Sequence, residues 1–364
     1  MANFPNPETG QEKSQGQENV KKGKTTGSII VIGEKALLLV LLAMGVFYFL
    51  PKISSLESSF NVLASLKIWA IAFAFLAQLF SYYGSGLTIS KCASLSGKKI
   101  SVFTSMLIYT ASTSVGLVAG GMLGSAASMF RWIKASGGDN ESASLAASLP
   151  PVFIDIVLVL ISIIGLSFLL IVHDLTTSQI TIFLLITFGL IIFCLFFIIA
   201  VRHKRQATHI LLKCASGLFM AFKREFPEEE FTGNIQHLFS TWDYLIRGGW
   251  RGPMLGSTLN ILFDILTIYF VFQAAGISIP PIVLIAGYGL PWLFGRMAFI
   301  IPGGVGVIES TMVALYTSLG IENSPAAITV LTYRVISFWL PSIIGFLLLP
   351  FLNRNSERVD HLPH

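Results

Sequence analysis

The chain has 364 residues, of which 54% are hydrophobic and only 12% charged. A soluble domain carries roughly 25% charged residues, so an ordinary soluble fold is excluded. The formal net charge of +5 falls mostly in loops. There it sets orientation in a bilayer and meets anionic lipid, and no nucleic-acid partner is expected.

Residues 1–28 are polar, aperiodic and rich in Gln, Glu, Lys and Gly, and read as a disordered cytoplasmic tail. The apolar run after them ends on Phe47, Tyr48 and Phe49 rather than on small residues, which argues against a cleaved signal peptide. Apolar runs then follow at Ile29 to Leu50, Ile68 to Ile89, Pro151 to Val172, Ile180 to Val201, Met254 to Ala275 and Ala327 to Phe351. Each is about as long as a transmembrane helix, roughly 20 residues. Residues 353–364 form a short polar tail.

Two further apolar stretches do not fit single spans. Ile100 to Phe130 is too long for one ordinary helix, and its centre, TASTSVGLVAGGMLGSAAS, is small and glycine-rich. Charge decides its course. Lys21, Lys22 and Lys24 precede the first span, Lys91, Lys98 and Lys99 follow the second, and Arg202, Lys204 and Arg205 open a basic loop over 202–252. All read as cytoplasmic, whereas the His173 to Gln179 turn has no Lys or Arg and reads as external. Arg131 and Lys134 must then be cytoplasmic too. The stretch starts and ends on one side, as a re-entrant hairpin with Gly120 and Gly121 at its tip or as two thin crossings.

In the second stretch, two half-length apolar pieces, Ile282 to Ile301 and Gly303 to Leu319, meet at Pro302, within Ile300 to Gly320, IIPGGVGVIESTMVALYTSLG. Pro302 cannot continue an incoming helix. Gly303, Gly304 and Gly306 open positive-φ backbone and close approach, and Glu309 sits in the first turn of the helix that follows. Irregular backbone at membrane depth survives only where protein buries it or it lines a cavity, and a helix N-terminus there suits a phosphate or carboxylate. This is either a hairpin entering from outside, the reading favoured here, or two full crossings. AGGMLG at 119–124 resembles PGGVG at 302–306, which suggests an inverted-topology repeat. In the basic loop, Ile210, Leu211, Cys214, Leu218, Phe219 and Phe222 recur at helical spacing. They form an interfacial amphipathic helix or one packed on the spans.

PGGVGVIES followed by LTYRVISFWLPSIIGF at 331–346 resembles the lysylphosphatidylglycerol synthase transmembrane family, as a stand-alone, UPF0104-type member lacking the synthase domain. The hydropathy from Ile29 to Leu352 fits that family along nearly its full length. The resemblance implies flippase-like handling of a phospholipid or lipid-linked head group, most often aminoacylated phosphatidylglycerol. It marks Pro302, Gly303, Gly304, Gly306, Glu309, Tyr333 and Arg334. In the first hairpin it marks Gly120, Gly121, Gly124 and Arg131 less well: Ser125 stands near where the family has an acid, and Pro151 and Asp155 where the next helix often has an arginine.

Ionisable groups at span depth are expensive and should pair or line a wet cavity. They are Asp155, Asp264, Arg296, Glu309 and Arg334, with Arg131 at a boundary. Arg334 offers a planar fork for two phosphate oxygens. Glu309 either meets a head-group amine, pairs with Arg334 or Arg296, or simply answers the helix dipole. Arg334 and Asp264 also fit a structural ion pair, and Arg296 fits snorkelling. The glycine tips also suit plain close helix contact. Trp292 and Trp339 read as belt or packing residues.

Scattered Cys92, Cys194 and Cys214 make no CxxC pair, and the histidines show no ligand spacing. No metal, cofactor, nucleotide site or enzymatic dyad is expected. The expectation is an all-α integral membrane protein of the cell membrane with about six full transmembrane helices, two re-entrant hairpins and both termini cytoplasmic. It would move lipid, or else anchor a separately encoded synthase or glycosyltransferase through the 202–252 loop.

Overall fold

The computed structural model describes residues 67–119, 121–172, 249–297 and 302–360, with isolated positions between 177 and 192. The N-terminal tail, the first span, most of the 180–201 span, the 202–248 loop with its amphipathic stretch, and Gly120 lie outside the described residues.

Among the described residues the chain is helical. α1 spans Ile68–Ala93, α2 Val102–Val118, α3 Met122–Ala135 and α4 Asn140–Val172. After the undescribed loop come α5 Arg251–Ala274, α6 Pro281–Met297, a 3₁₀ turn Pro302–Gly304 and α7 Val307–Ser318. α8 Asn323–Arg334 then continues through a π-helical segment Val335–Trp339 into α9 Leu340–Asp360. Four helical stretches are long and apolar enough to cross a bilayer: Ile68–Ser96, Asn140–Ile171, Arg251–Ala274 and Asn323–Arg354. The fourth helix begins ahead of the proline pair that the sequence pattern took as its start. Pro150 and Pro151 lie inside it. The Ser142 N–H donates to Asp139 Oδ1 at 2.8 Å at its N-terminus, and that bond holds the Asp139 carboxyl below its usual range.

The paired short helices are different. α2 and α3 have 17 and 14 residues, α6 and α7 17 and 12. At roughly 1.5 Å per residue, none reaches the ~30 Å of a hydrocarbon core. Each pair folds back on itself at a glycine turn, and the ends of each pair share one end of the bundle. Ile100 and Ile133, from the two ends of the first hairpin, pack with Ala93, Ala146 and Leu352. In the second, the Tyr316 hydroxyl near the end of α7 donates to the Leu284 carbonyl near the start of α6 at 3.3 Å, and the Tyr316 ring packs edge-on against Phe272. The tips approach each other, because a Cβ built on Gly303 would lie 3.2 Å from Leu117 near the end of α2.

One order of elements therefore occurs twice: a long helix, two short ones, and a long helix. The leading helices of the two copies run in opposite directions. α1 and α5 are antiparallel, with the Lys67 N–H donating to Ala274 O at 3.0 Å, Phe73 stacked on Phe270 and Phe80 on Phe263. They cross where both helices have glycine. A Cβ on Gly84 would meet the Asn260 backbone, and one on Gly256 would meet the Thr88 backbone at 2.6 Å. Asn260 reaches across to Ser81, donating to its hydroxyl at 2.9 Å. Because backbone fills this crossing, no side chain can yield. Gly256→Leu is expected to destabilise the protein by at least the roughly 1–3 kcal/mol of an overpacked core, read as a lower unfolding midpoint in detergent.

Most cations near the described helix ends gather at one end of the bundle, with Lys67 at the other, beside Ala274. Lys91 lies against Gly252 beside Arg251. Lys98, Lys134 and Arg354 lie at the ends of elements that share that end of the bundle.

Candidate functional site

The site is built where the second hairpin turns beneath α8. Gly303, Gly304 and Gly306 take φ of 66°, 60° and 87°, in the left-handed region that L side chains rarely adopt. The chain can therefore stop α6, turn, and restart as α7. Glu309 reaches back from the first turn of α7, and its Oε2 accepts the Gly306 N–H at 2.6 Å. This is the acidic half of a capping box, and it places the carboxylate at the positive end of the helix.

The other oxygen of Glu309 binds the arginine of α8. Arg334 Nε donates to Glu309 Oε1 at 2.6 Å, and Arg334 Nη2 donates to the Gly303 carbonyl at 3.1 Å. Arg334 is completely buried. Its guanidinium carbon lies 4.2 Å from the centre of the Phe338 ring and 5.6 Å from that of Trp292, close enough for cation–π attraction to both. Its Nη1 is buried without a hydrogen-bond partner. Of the roles open to Glu309, the structure realises the pair with Arg334 together with the dipole-facing cap.

Asp264 of α5 lies beside this pair but does not join it. Its Oδ2 accepts two phenol hydroxyls, from Tyr288 at 2.6 Å and Tyr333 at 2.7 Å. The Trp292 indole N–H donates to the Tyr333 hydroxyl at 3.2 Å. Asp264 Oδ1 is buried and unpartnered. The ion pair between Arg334 and Asp264 is not made, because Arg334 is committed to Glu309. Arg296 pairs with Asp155 of α4 at 3.2 Å, half exposed, so it is held by a countercharge where snorkelling was the alternative.

The other candidates separate from this centre. Gly121 caps α3 with φ 66° and ψ −125° and shapes the first tip. Arg131 is exposed on α3 near the basic end of the bundle and is not part of the cluster. Gly120 lies outside the described residues. Of the two roles expected for Trp292, belt or packing, the structure shows packing: it lies against the buried core, in contact with both Tyr333 and Arg334.

Tyr288, Phe338 and Gln78, whose buried Oε1 has no donor, were missed. Tyr288, Trp292 and Arg296 follow one another at four-residue spacing, so one face of α6 presents all three. That stripe was readable. The π segment was not. It carries Phe338, and its Ser337 carbonyl accepts the Tyr82 hydroxyl of α1 at 3.2 Å. Such π-bulges frequently mark functional sites.

A model of the lysylphosphatidylglycerol synthase transmembrane region matches residues 31–345. The chain belongs to this family. Curated relatives include a UPF0104 membrane protein of Methanothermobacter thermautotrophicus, 30% identical over 28% of this chain and 30% of its own length. Another, from Pyrococcus horikoshii, is 30% identical over 33% and 36%. A third, from Methanocaldococcus jannaschii, is 24% identical over 36% and 40%. The matched segments thus span about a third of these relatives. A multi-pass helical membrane protein is established by the spanning helices and the family together. No cluster of three metal-ligating side chains occurs among the described residues.

Proposed function

We propose that this protein is a flippase-type transporter that moves a phospholipid or lipid-linked head group between leaflets, with its phosphate held at Arg334. The buried, unpartnered Nη1 of Arg334 carries the reading. An arginine costs least in a membrane interior when all its donors are met, and this one keeps a donor free beside irregular backbone. A phosphate oxygen would accept from Nη1, while Glu309 and the Gly303 carbonyl hold the other edge of the guanidinium. The positive end of α7 lies alongside.

In this reading both short-helix pairs are re-entrant hairpins of an inverted repeat, and the bundle end bearing Lys91, Lys98, Lys134 and Arg354 is cytoplasmic. Broken helices meeting from opposite faces are the arrangement with which transporters expose a site alternately to each side.

Translocation in proteoliposomes tests this, with phosphatidylglycerol and its lysyl derivative and leaflet-selective labelling of the head group. Wild-type protein is expected to move label above empty liposomes with head-group preference. Arg334→Lys, which keeps charge but loses the fork, should be at least roughly tenfold slower, the loss of about one charge-assisted hydrogen bond. Background leak from a folded wild type would defeat the transporter reading and favour an anchor for a separate lipid-modifying or glycosyl-transferring enzyme.

A further inference from the structure

The described interior of the bundle holds one acid too many. Asp155 is paired with Arg296 and Glu309 with Arg334. Asp264 is the third acid, and among the described residues no base remains for it. It is 7% exposed, so water does not replace the missing countercharge. Both of its hydrogen bonds fall on Oδ2, and Oδ1 has none.

Among the groups facing it, the one charge that acts on it is that of Arg334, which is already paired with Glu309. From α1 come Gln78 and Tyr82, from α2 Tyr109, from α6 Tyr288 and Arg296, and from α8 Tyr333 and Arg334. The phenols are neutral donors, and each arginine has its ion pair with another acid, Arg296 with Asp155 and Arg334 with Glu309. Gln78 turns its amide toward the Asp264 carboxyl, and its own Oε1 is a second buried acceptor without a donor. A carboxylate buried without an ion-pair partner of its own is heavily penalised. One proton on Oδ1 removes the charge and supplies the missing donor. A hard metal cation instead needs about six or more oxygen ligands, whereas Oδ1 offers one.

We propose that Asp264 Oδ1 binds and releases a proton, and that this proton couples the transport cycle of the Arg334 site to the pH difference across the membrane. The coupling rests on the transporter reading above. An O–H bond forms on Oδ1 with a proton taken from bulk water at one face and breaks when it is given up at the other, with no change of oxidation state.

Tyr333 links the two groups. Its hydroxyl donates to Asp264, and the next residue is Arg334. Hydrogen bonds to an ionised acceptor are roughly twice as strong as neutral ones. Protonation therefore weakens the hold of α5 on Tyr288 of α6 and on Tyr333 of α8. The π segment that begins at Val335, directly after Arg334, gives α8 a place to shift.

Two readouts on the full chain test this. The first is infrared spectroscopy in lipid nanodiscs across mildly acidic to mildly alkaline pH. A protonated-carboxyl band should titrate in wild type, persist in Asp155→Asn and vanish in Asp264→Asn. Should that variant not fold, Asp264→Glu keeps the acid and should shift the band. The second is the leaflet distribution of labelled lipid under an imposed pH gradient. With one proton per lipid, a gradient of one unit should sustain about a tenfold leaflet ratio, and Asp264→Asn should show none.

A band unaffected by either Asp264 substitution overturns the proton site. So does a distribution that follows sodium instead of pH. Gradient-insensitive translocation overturns the coupling and leaves the transporter reading intact. A titrating Asp264 band without any translocation defeats the transporter reading instead, and leaves only the proton site.

Discussion

Replacing Glu309 with alanine is expected to cost about 3–5 kcal/mol of stability, the usual penalty for leaving one member of a buried ion pair alone. Arg334 has no exposure to water, so its charge would remain on a guanidinium held only by the Gly303 carbonyl and two aromatic faces. The Gly306 N–H would lose its acceptor as well. Glu309→Gln keeps a side-chain oxygen for that N–H but removes the countercharge, and should fall between wild type and alanine. Replacing both members, as Glu309→Leu with Arg334→Met, should recover much of the loss, because hydrophobic pairs often match buried ion pairs in stability. Unfolding midpoints in detergent for the two single variants and the double one measure the coupling directly. A double variant as unstable as the sum of the singles would show that the two side chains do not depend on each other. The recovered double variant should still fail to move lipid, which separates the structural share of the pair from its proposed phosphate contact.

Two independent signals singled out the stretches that break into paired short helices, and the re-entrant course itself belongs to the proposal. The placement of Arg131 and Lys134 required an even number of passes, and the glycine strings supplied places to turn. The structure gives both stretches as paired short helices whose ends share one end of the bundle. The partners of the buried charges were less legible. Residue type marks Asp264, Glu309 and Arg334 as needing company, but Tyr288 and Tyr333 reach Asp264 from 24 and 69 residues away. Sequence spacing therefore left the ion pair with Arg334 open. The crossing of α1 and α5 gave no signal at all. Gly84 and Gly256 lie in otherwise ordinary apolar helices, and only the antiparallel approach of two backbones explains why each must lack a side chain. The π segment was invisible for a related reason. One extra residue in a helical turn changes no composition, yet it accompanies Phe338 over the guanidinium and a Ser337 carbonyl that accepts the Tyr82 hydroxyl.

Gly303→Ala should be the most damaging single-methyl change among the positive-φ glycines of the second hairpin. Its φ of 66° carries a penalty of roughly 1–2 kcal/mol for any L side chain. Gly137 and Gly320, with φ of 96° and 94° and nothing within 4 Å of a built Cβ, are controls that bear backbone strain alone. At Gly303 the methyl would also run into the Phe338 ring and crowd Leu117. Phe338 can yield only by leaving the face of Arg334, and Leu117 only by opening the contact between the hairpin tips. The further cost is about 1–3 kcal/mol, as for other overpacked sites. Gly303→Ala should therefore unfold below both controls and lose translocation that the controls retain. Equal unfolding midpoints for the three variants would mean that Phe338 moves freely, and that its ring does not hold the guanidinium. If instead the midpoint falls and translocation survives, the tip contact serves stability alone, and the phosphate site must tolerate a displaced Phe338. Pairing the substitution with Phe338→Leu decides between these outcomes. The smaller side chain makes room for the methyl, so stability lost to crowding should return, while any contribution of the aromatic face to holding Arg334 stays lost.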